Sequence, residues 1–211
     1  CFVTTDAALA PRDLQALLRR CTERTFNCIC VDNDTSTNDT VLCLANGQSG
    51  LAPLAPGTAD FDAFAEALEA LCAETARALV RDGEGATKFI EITVEGAATD
   101  DDARLVARSI AQSQLCKTAF FGEDPNWGRI ACAAGYSGAD FDPSGMSIVL
   151  EGLTIFQDGR PTDYAEADAA ERMKRREVRV RVLLSEGAGR AAWWTSDLSH
   201  DYVSINADYR S

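Results

Sequence analysis

A layered α+β fold is the class this sequence predicts, on three observations. Segments with helical and with strand periodicity alternate in pairs rather than strictly one by one, which disfavours a doubly wound parallel sheet. Two strand-like runs, Lys88–Glu95 and Glu177–Leu184, alternate cleanly between apolar and polar positions. The 211 residues are 46% hydrophobic and 25% charged, enough for one domain with a sizeable core or for two small ones.

The opening residues, Cys1 to Ala7, read as a short apolar strand rich in β-branched side chains. A soluble chain usually starts with a polar, frayed tail. The strand is therefore expected to follow further chain, removed by a protease, by cloning or by self-cleavage. Self-cleaving enzymes of the N-terminal-nucleophile kind expose a Thr, Ser or Cys whose own α-amine, titrating near ~8, acts as its base. Pro11 suits a first helical turn, and Leu14, Leu17, Leu18 and Cys21 continue the period to about Arg24. Phe26–Val31 reads as a strand that points Cys28 and Cys30 to one face. The polar run Asp32–Thr40 joins it to a strand over Val41–Ala45, closed by the turn Asn46-Gly47.

Gln48–Gly57 reads as loop. A long helix capped by Thr58 or Asp60 then carries the stripe Phe61, Phe64, Leu68, Leu71, Cys72, Thr75 and Leu79, and stops at Asp82-Gly83-Glu84-Gly85. After the Lys88–Glu95 strand, Thr99 and three aspartates start a helix running to about Gln114. Asp124-Pro125 reads as cap and first turn of a short helix through Ala133. Strands over Met146–Leu150 and Leu153–Phe156 flank Glu151-Gly152, and Asp158-Gly159 is a further turn. Ala165–Met173 is helical, Glu177–Leu184 is a strand with Val178, Val180 and Val182 inward, and Ala191–Thr195 is the last strand. Asp197–Asn206 is a short helix or turn.

Composition excludes several functions. A net charge of −13 argues against nucleic acid or an anionic membrane as partner. No run is long enough to span a bilayer. The 8 cysteines sit in apolar periodic segments, with no Cys-x-x-Cys pair and a single His, His200. They read as reduced thiols of a cytoplasmic protein rather than a disulfide framework, and no metal site is expected. One His leaves His200, between Ser199 and Asp201, as the one candidate for a Ser-His or Cys-His base.

Three stretches carry candidate chemistry. Thr35–Thr40 is either a hairpin loop bonded to its own backbone or a polar wall for a small substrate. Gly83-Glu84-Gly85 is either a helix stop or a place where backbone approaches a ligand and Glu84 receives a cationic amine. Gly122–Ile130 is either a capped helix start with a buried Trp or part of a site.

Taken in order, Phe2-Val3-Thr4-Thr5-Asp6-Ala7, Asp34–Thr40, Gly83-Glu84-Gly85-Ala86-Thr87-Lys88, Asp124-Pro125-Asn126-Trp127-Gly128-Arg129-Ile130 and Ile205–Ser211 resemble the β chain of the ornithine acetyltransferase family, the bifunctional glutamate N-acetyltransferases of arginine biosynthesis. The match runs from Phe2 to Ser211. The resemblance implies an αββα sandwich of the self-cleaving N-terminal-nucleophile type, with residues 1–211 as one unit completed by a separate α chain from the same precursor in an α2β2 assembly. It implies acetyl transfer from N-acetylornithine to glutamate through an acetyl-threonine, with no cofactor and with acetyl-CoA as a substrate in some members. It assigns substrate contacts to Glu84, Asn206 and Ser211, and leaves the oxyanion hole on the α chain. The family's nucleophilic Thr stands about three residues before the position of Cys1, so neither Cys1, Thr4 nor Thr5 is matched to it and no catalytic residue is expected on this chain. A related N-terminal-nucleophile amidase or aminopeptidase, a paralogue acetyltransferase of a specialised pathway, and a binding module that lost the Thr are the alternatives.

Overall fold

The computed structural model describes residues 1–209. Its strands are β1 (Phe2–Thr5), β2 (Ile29–Cys30), β3 (Leu42–Ala45), β4 (Phe89–Ala97), β5 (Ser147–Leu150), β6 (Leu153–Gln157), β7 (Arg160–Pro161), β8 (Glu177–Leu183) and β9 (Gly189–Ser196). Its helices are α1 (Pro11–Arg24), α2 (Ala59–Arg81), α3 (Asp100–Gln112), α4 (Gln114–Phe121), α5 (Trp127–Gly135), α6 (Glu166–Met173) and α7 (His200–Asp208). The class is α+β, as the pairing of elements predicts. The chain divides into two compact units, one of residues 1–28 and 34–77, the other of residues 29–33 and 78 onward.

In the first unit β1 and β3 form a two-stranded parallel sheet in the register Phe2↔Leu42 to Thr5↔Ala45. Val3 and Cys43, from its inner face, pack against a cluster of Leu17, Cys21, Phe61, Ala65, Leu68 and Cys72. The other face holds Phe2, Leu42 and Leu44, which are 76%, 43% and 56% exposed. A two-stranded sheet with one apolar face uncovered is marginal by itself. Thr58 does cap α2, its hydroxyl accepting from Phe61 N at 3.3 Å. The stripe along α2 differs from the expected one: Ala65 and Ala76 are buried, whereas Leu71 and Leu79 are 46% and 50% exposed. Phe61, Ala65, Leu68, Cys72, Ala76 and Val80 keep the helical period. Size, favouring Leu over Ala, misplaces the face.

The second unit is built on a seven-stranded mixed sheet in the order β2-β9-β4-β8-β5-β6-β7. β4 lies parallel to β8 and antiparallel to β9. Ile90, Ile92 and Val94 pair with Val178, Val180 and Val182 on one buried face, as the alternation predicts. α3 covers β4 and β9 with Ala103, Val106, Ala107, Ile110 and Ala111. Glu151 and Gly152, at φ 46° and 80°, both adopt the left-handed conformation that a two-residue hairpin between β5 and β6 demands.

Three expectations need correction, and one helix goes unannounced in the sequence. Phe26–Cys28 is a turn of 3-10 helix, so the strand shrinks to Ile29–Cys30. The polar run is not a hairpin loop, because β2 pairs with β9 and β3 with β1. The cap of α5 is Asn126, whose Oδ1 accepts from Arg129 N at 3.0 Å, rather than Asp124. And α4 is not legible in the sequence, because its pattern is inverted: Leu115 is exposed while Lys117 is buried. None of the eight cysteines is in a disulfide, and burial pushes the Cys72 thiol up to about 11. Among the described residues no helix is long and apolar enough to cross a membrane.

Candidate functional site

The second unit brings together two of the three residues singled out as substrate contacts. Asn206, on α7, donates through Nδ2 to Glu84 Oε2 at 2.9 Å, although 122 positions separate them. The same Nδ2 donates to Tyr202 O at 3.0 Å. Both hydrogens of the amide are thereby engaged, so the oxygens left over among the described residues, Glu84 Oε1 and Asn206 Oδ1, are acceptors. Two acceptors, one charged, suit a cation and repel a carboxylate. Both side chains are exposed. Ser211, the third, lies outside the described residues.

The chain folds this way because of what surrounds Glu84. Gly85 has φ +65°, and a Cβ there would stand 2.4 Å from Tyr202 N. The glycine's open space is thus filled by the first turn of α7, not by a ligand. Ser199 is the cap of α7: its Oγ accepts from Tyr202 N at 3.3 Å and donates to Gly85 O at 2.6 Å. Tyr202 Oη reaches Asp32 Oδ2 at 3.0 Å.

Behind this loop Asp197 collects three donors. Its Oδ1 accepts from Thr87 N at 2.8 Å and Lys88 N at 2.9 Å, and its Oδ2 from Thr87 Oγ1. These bonds fix the chain leaving Gly83-Glu84-Gly85 to the end of β9. Lys88 is buried and pairs with Glu123 Oε1 at 3.1 Å. Glu123 holds this pair from a left-handed backbone at φ +57°.

Lys117 is 1% exposed and lies beside the same β-strand end. Its Nζ donates to Thr195 Oγ1 at 3.0 Å, to Ser196 Oγ at 3.3 Å and to Ser196 O. All three acceptors are neutral. Burial lowers its pKa to about 8, against the pull of Cys30, Asp197 and Asp32. At this one group the unfolded chain binds more protons than the folded one between pH 8 and 10.5, so Lys117's own contribution to stability rises with pH across that window, while the raised thiols of Cys21, Cys30, Cys43, Cys72 and Cys116 contribute the opposite slope. The rise in unfolding free energy expected from Lys117 alone is up to ~3 kcal/mol. Urea titrations of the protein and of Lys117→Met at both ends check it: the difference in unfolding free energy between the two should shift in the protein's favour by that amount as pH rises.

The remaining candidates make contacts within the chain. His200 is the first residue of α7 and meets Phe121 edge-on at 5.4 Å between ring centroids. Trp127 stacks on Phe156 at 5.0 Å, and Arg129 donates to Leu115 O at 2.8 Å in α4. Ser36 N bonds Asp39 Oδ2 and Asn38 N bonds Ser36 Oγ, so the polar run satisfies its own backbone. Among the described residues no group of three or more His, Cys, Asp or Glu stands together as metal ligands would. Sequence reasoning missed Asp197, Ser199 and Lys117. For Lys117 the available signal was a cation flanked by Cys116, Ala119 and Phe120 in a helical register.

Comparison with known proteins gives the same direction. The whole chain, residues 1–211, matches the ArgJ family. It is 50% identical over 210 residues to the arginine biosynthesis bifunctional protein ArgJ of Symbiobacterium thermophilum, covering 100% of this chain and 52% of that protein. The ArgJ protein of Syntrophotalea carbinolica is 49% identical, with 100% and 54% covered. The chain thus spans about half the length of the curated relatives it matches. A crystal structure of ArgJ from Bacillus halodurans superposes with a TM-score of 0.96 at 43% identity, covering 99% of this chain and 98% of that one.

Proposed function

This chain belongs to the ArgJ family, and we propose that it is one half of a two-chain acetyltransferase that moves the acetyl group of N-acetylornithine to glutamate. The observation that carries the reading is the Glu84–Asn206 pair. Its two acceptors left over among the described residues suit the free δ-ammonium of N-acetylornithine, whose α-nitrogen carries the acetyl group.

The chemistry follows from a nucleophilic Thr just upstream of the Phe2-Val3-Thr4-Thr5 strand, where the family resemblance puts it. Its hydroxyl oxygen attacks the acetyl carbonyl while its own α-amine takes the hydroxyl proton. Collapse of the tetrahedral intermediate breaks the C–N bond, and the proton passes to ornithine's leaving nitrogen. The acetyl ester is then attacked by the amine of glutamate, and the Thr hydroxyl is restored. No cofactor enters. Acetyl-CoA has a place only as an alternative acetyl donor.

The partner is an α chain from the same precursor, in an α2β2 assembly. Two facts support it: relatives are about twice as long, and the outer face of β1 and β3 offers Phe2, Leu42 and Leu44 to a covering surface. Reduced thiols and high acidity support a cytoplasmic setting. The test is the fate of the acetyl group. The two-chain protein, given acetyl-labelled N-acetylornithine and glutamate, should yield labelled acetylglutamate. Free labelled acetate as the main product would make it an amidase.

A further inference from the structure

We infer that Ser199 is a positioning residue for substrate binding: one hydroxyl ties the Glu84 loop to the helix that carries Asn206. The inference rests on the reading of Glu84 and Asn206 as substrate contacts.

Glu84 and Asn206 sit on elements with no backbone pairing between them. Glu84 stands in the turn closed by Ala86 N to Gly83 O at 3.0 Å. Asn206 stands two turns into α7, a helix with no buried residue of its own. A nine-residue helix with no fully buried residue is held chiefly by the contacts of its first turn, where His200 meets Phe121 and Tyr202 reaches Asp32. Ser199 makes two of them. It is 4% exposed, caps α7 by accepting from Tyr202 N, and donates to Gly85 O, the residue after Glu84. Each role uses a different half of the hydroxyl, its lone pair and its hydrogen. Neither bond competes with the other.

The contact is also close in backbone terms. A Cβ on Gly85 would come within 3.0 Å of Ser199 Oγ as well as 2.4 Å of Tyr202 N. The loop and the helix start are therefore in van der Waals contact, and the short hydroxyl bridge sets their spacing. Losing the Gly85 bond frees the Glu84 loop from α7 without touching either substrate contact. The Glu84–Asn206 bond, between exposed side chains, is too weak to hold the two elements by itself.

Two variants separate positioning from folding. Ser199→Gly retains a residue type tolerated at a helix cap at a cost of a few tenths of a kcal/mol relative to Ser, but has no hydroxyl for Gly85 O. Ser199→Thr keeps the hydroxyl. In the two-chain protein, Ser199→Gly should raise KM for N-acetylornithine about tenfold, with kcat within about threefold. Ser199→Thr should bring KM back to within about threefold of the original. Placed in a Glu84→Gln background, Ser199→Gly should add less than about twofold, because its effect runs through Glu84. A KM unchanged in Ser199→Gly, while Glu84→Gln alone raises it, overturns the inference and leaves the substrate-contact reading standing. Additive losses in the double variant also overturn it. A KM untouched by Glu84→Gln alone overturns both.

Discussion

Exchanging Glu84 for Gln should lower kcat/KM for N-acetylornithine roughly 10- to 100-fold, with a smaller effect on glutamate. A glutamine side chain has nearly the same shape, and its amide oxygen can still accept from Asn206 Nδ2, as Glu84 Oε2 does at 2.9 Å. The change removes the charge and puts an NH2 donor where Oε1 offered an acceptor to the cation. A charge-assisted hydrogen bond contributes about 1.5–3 kcal/mol, and each ~1.4 kcal/mol is a factor of ten. The asymmetry between substrates follows from their charges. N-acetylornithine carries a free ammonium that two acceptors attract, whereas glutamate's side chain is an anion they do not. Initial rates with each substrate varied in turn measure both effects. Equal losses for the two substrates would mean that Glu84 acts on something they share.

Replacing Asp197 by Ala should cost about 3–5 kcal/mol of stability, from the loss of charge-assisted hydrogen bonds and the buried donors left without an acceptor. The carboxylate is 3% exposed and takes three hydrogen bonds. Without it, Lys88 N is left buried with no acceptor, and each such orphan costs about 1–3 kcal/mol. Lys117, buried nearby, also loses a carboxylate that favours its charged form. Asp197→Asn is the control. Both backbone donors, Thr87 N and Lys88 N, converge on Oδ1, so an amide oxygen there keeps both. Its NH2 can donate to Thr87 Oγ1. That variant should lose about 1–2 kcal/mol, through the missing charge. Urea unfolding at pH 7 compares the three proteins. Equal losses for Ala and Asn would mean that charge, not hydrogen bonding, dominates at this position.

Most of this fold can be read from periodicity, and the exceptions share a cause. β8 alternates because one face is buried and the other meets water, so Val178, Val180 and Val182 stand out against Arg179 and Arg181. α3 announces itself by Thr99 and three aspartates, and Thr99 Oγ1 does accept from Asp102 N. Legibility fails where tertiary contacts override the local pattern. α4 buries a lysine and exposes a leucine because Lys117 serves the end of β9, a partner 78 positions away. In α2, Leu71 and Leu79 lie off the buried face while Ala65 and Ala76 lie on it, since hydrophobicity alone does not say which side faces a neighbour. Residues 26–45 look like two strands joined by a hairpin, but a strand's partner is not encoded in its own sequence.

The candidate site divides the same way. Gly83-Glu84-Gly85 is conspicuous in the sequence, and Asn206 is marked by the resemblance of the tail. Their meeting, and Ser199 between them, comes only from the packing of α7 on the loop. The glycine that suggests a ligand's approach in fact admits the chain's own helix. With that space taken, the oxygens of Glu84 and Asn206 are the place the proposal gives to the ligand.

The most direct measurement is a crystal structure of the two-chain protein with ornithine bound. An ammonium of ornithine should lie within hydrogen-bond distance of both Glu84 Oε1 and Asn206 Oδ1. Ornithine bound with its carboxylate at this pair, or away from it altogether, would contradict the assignment of this chain as the half that holds the substrate's cation.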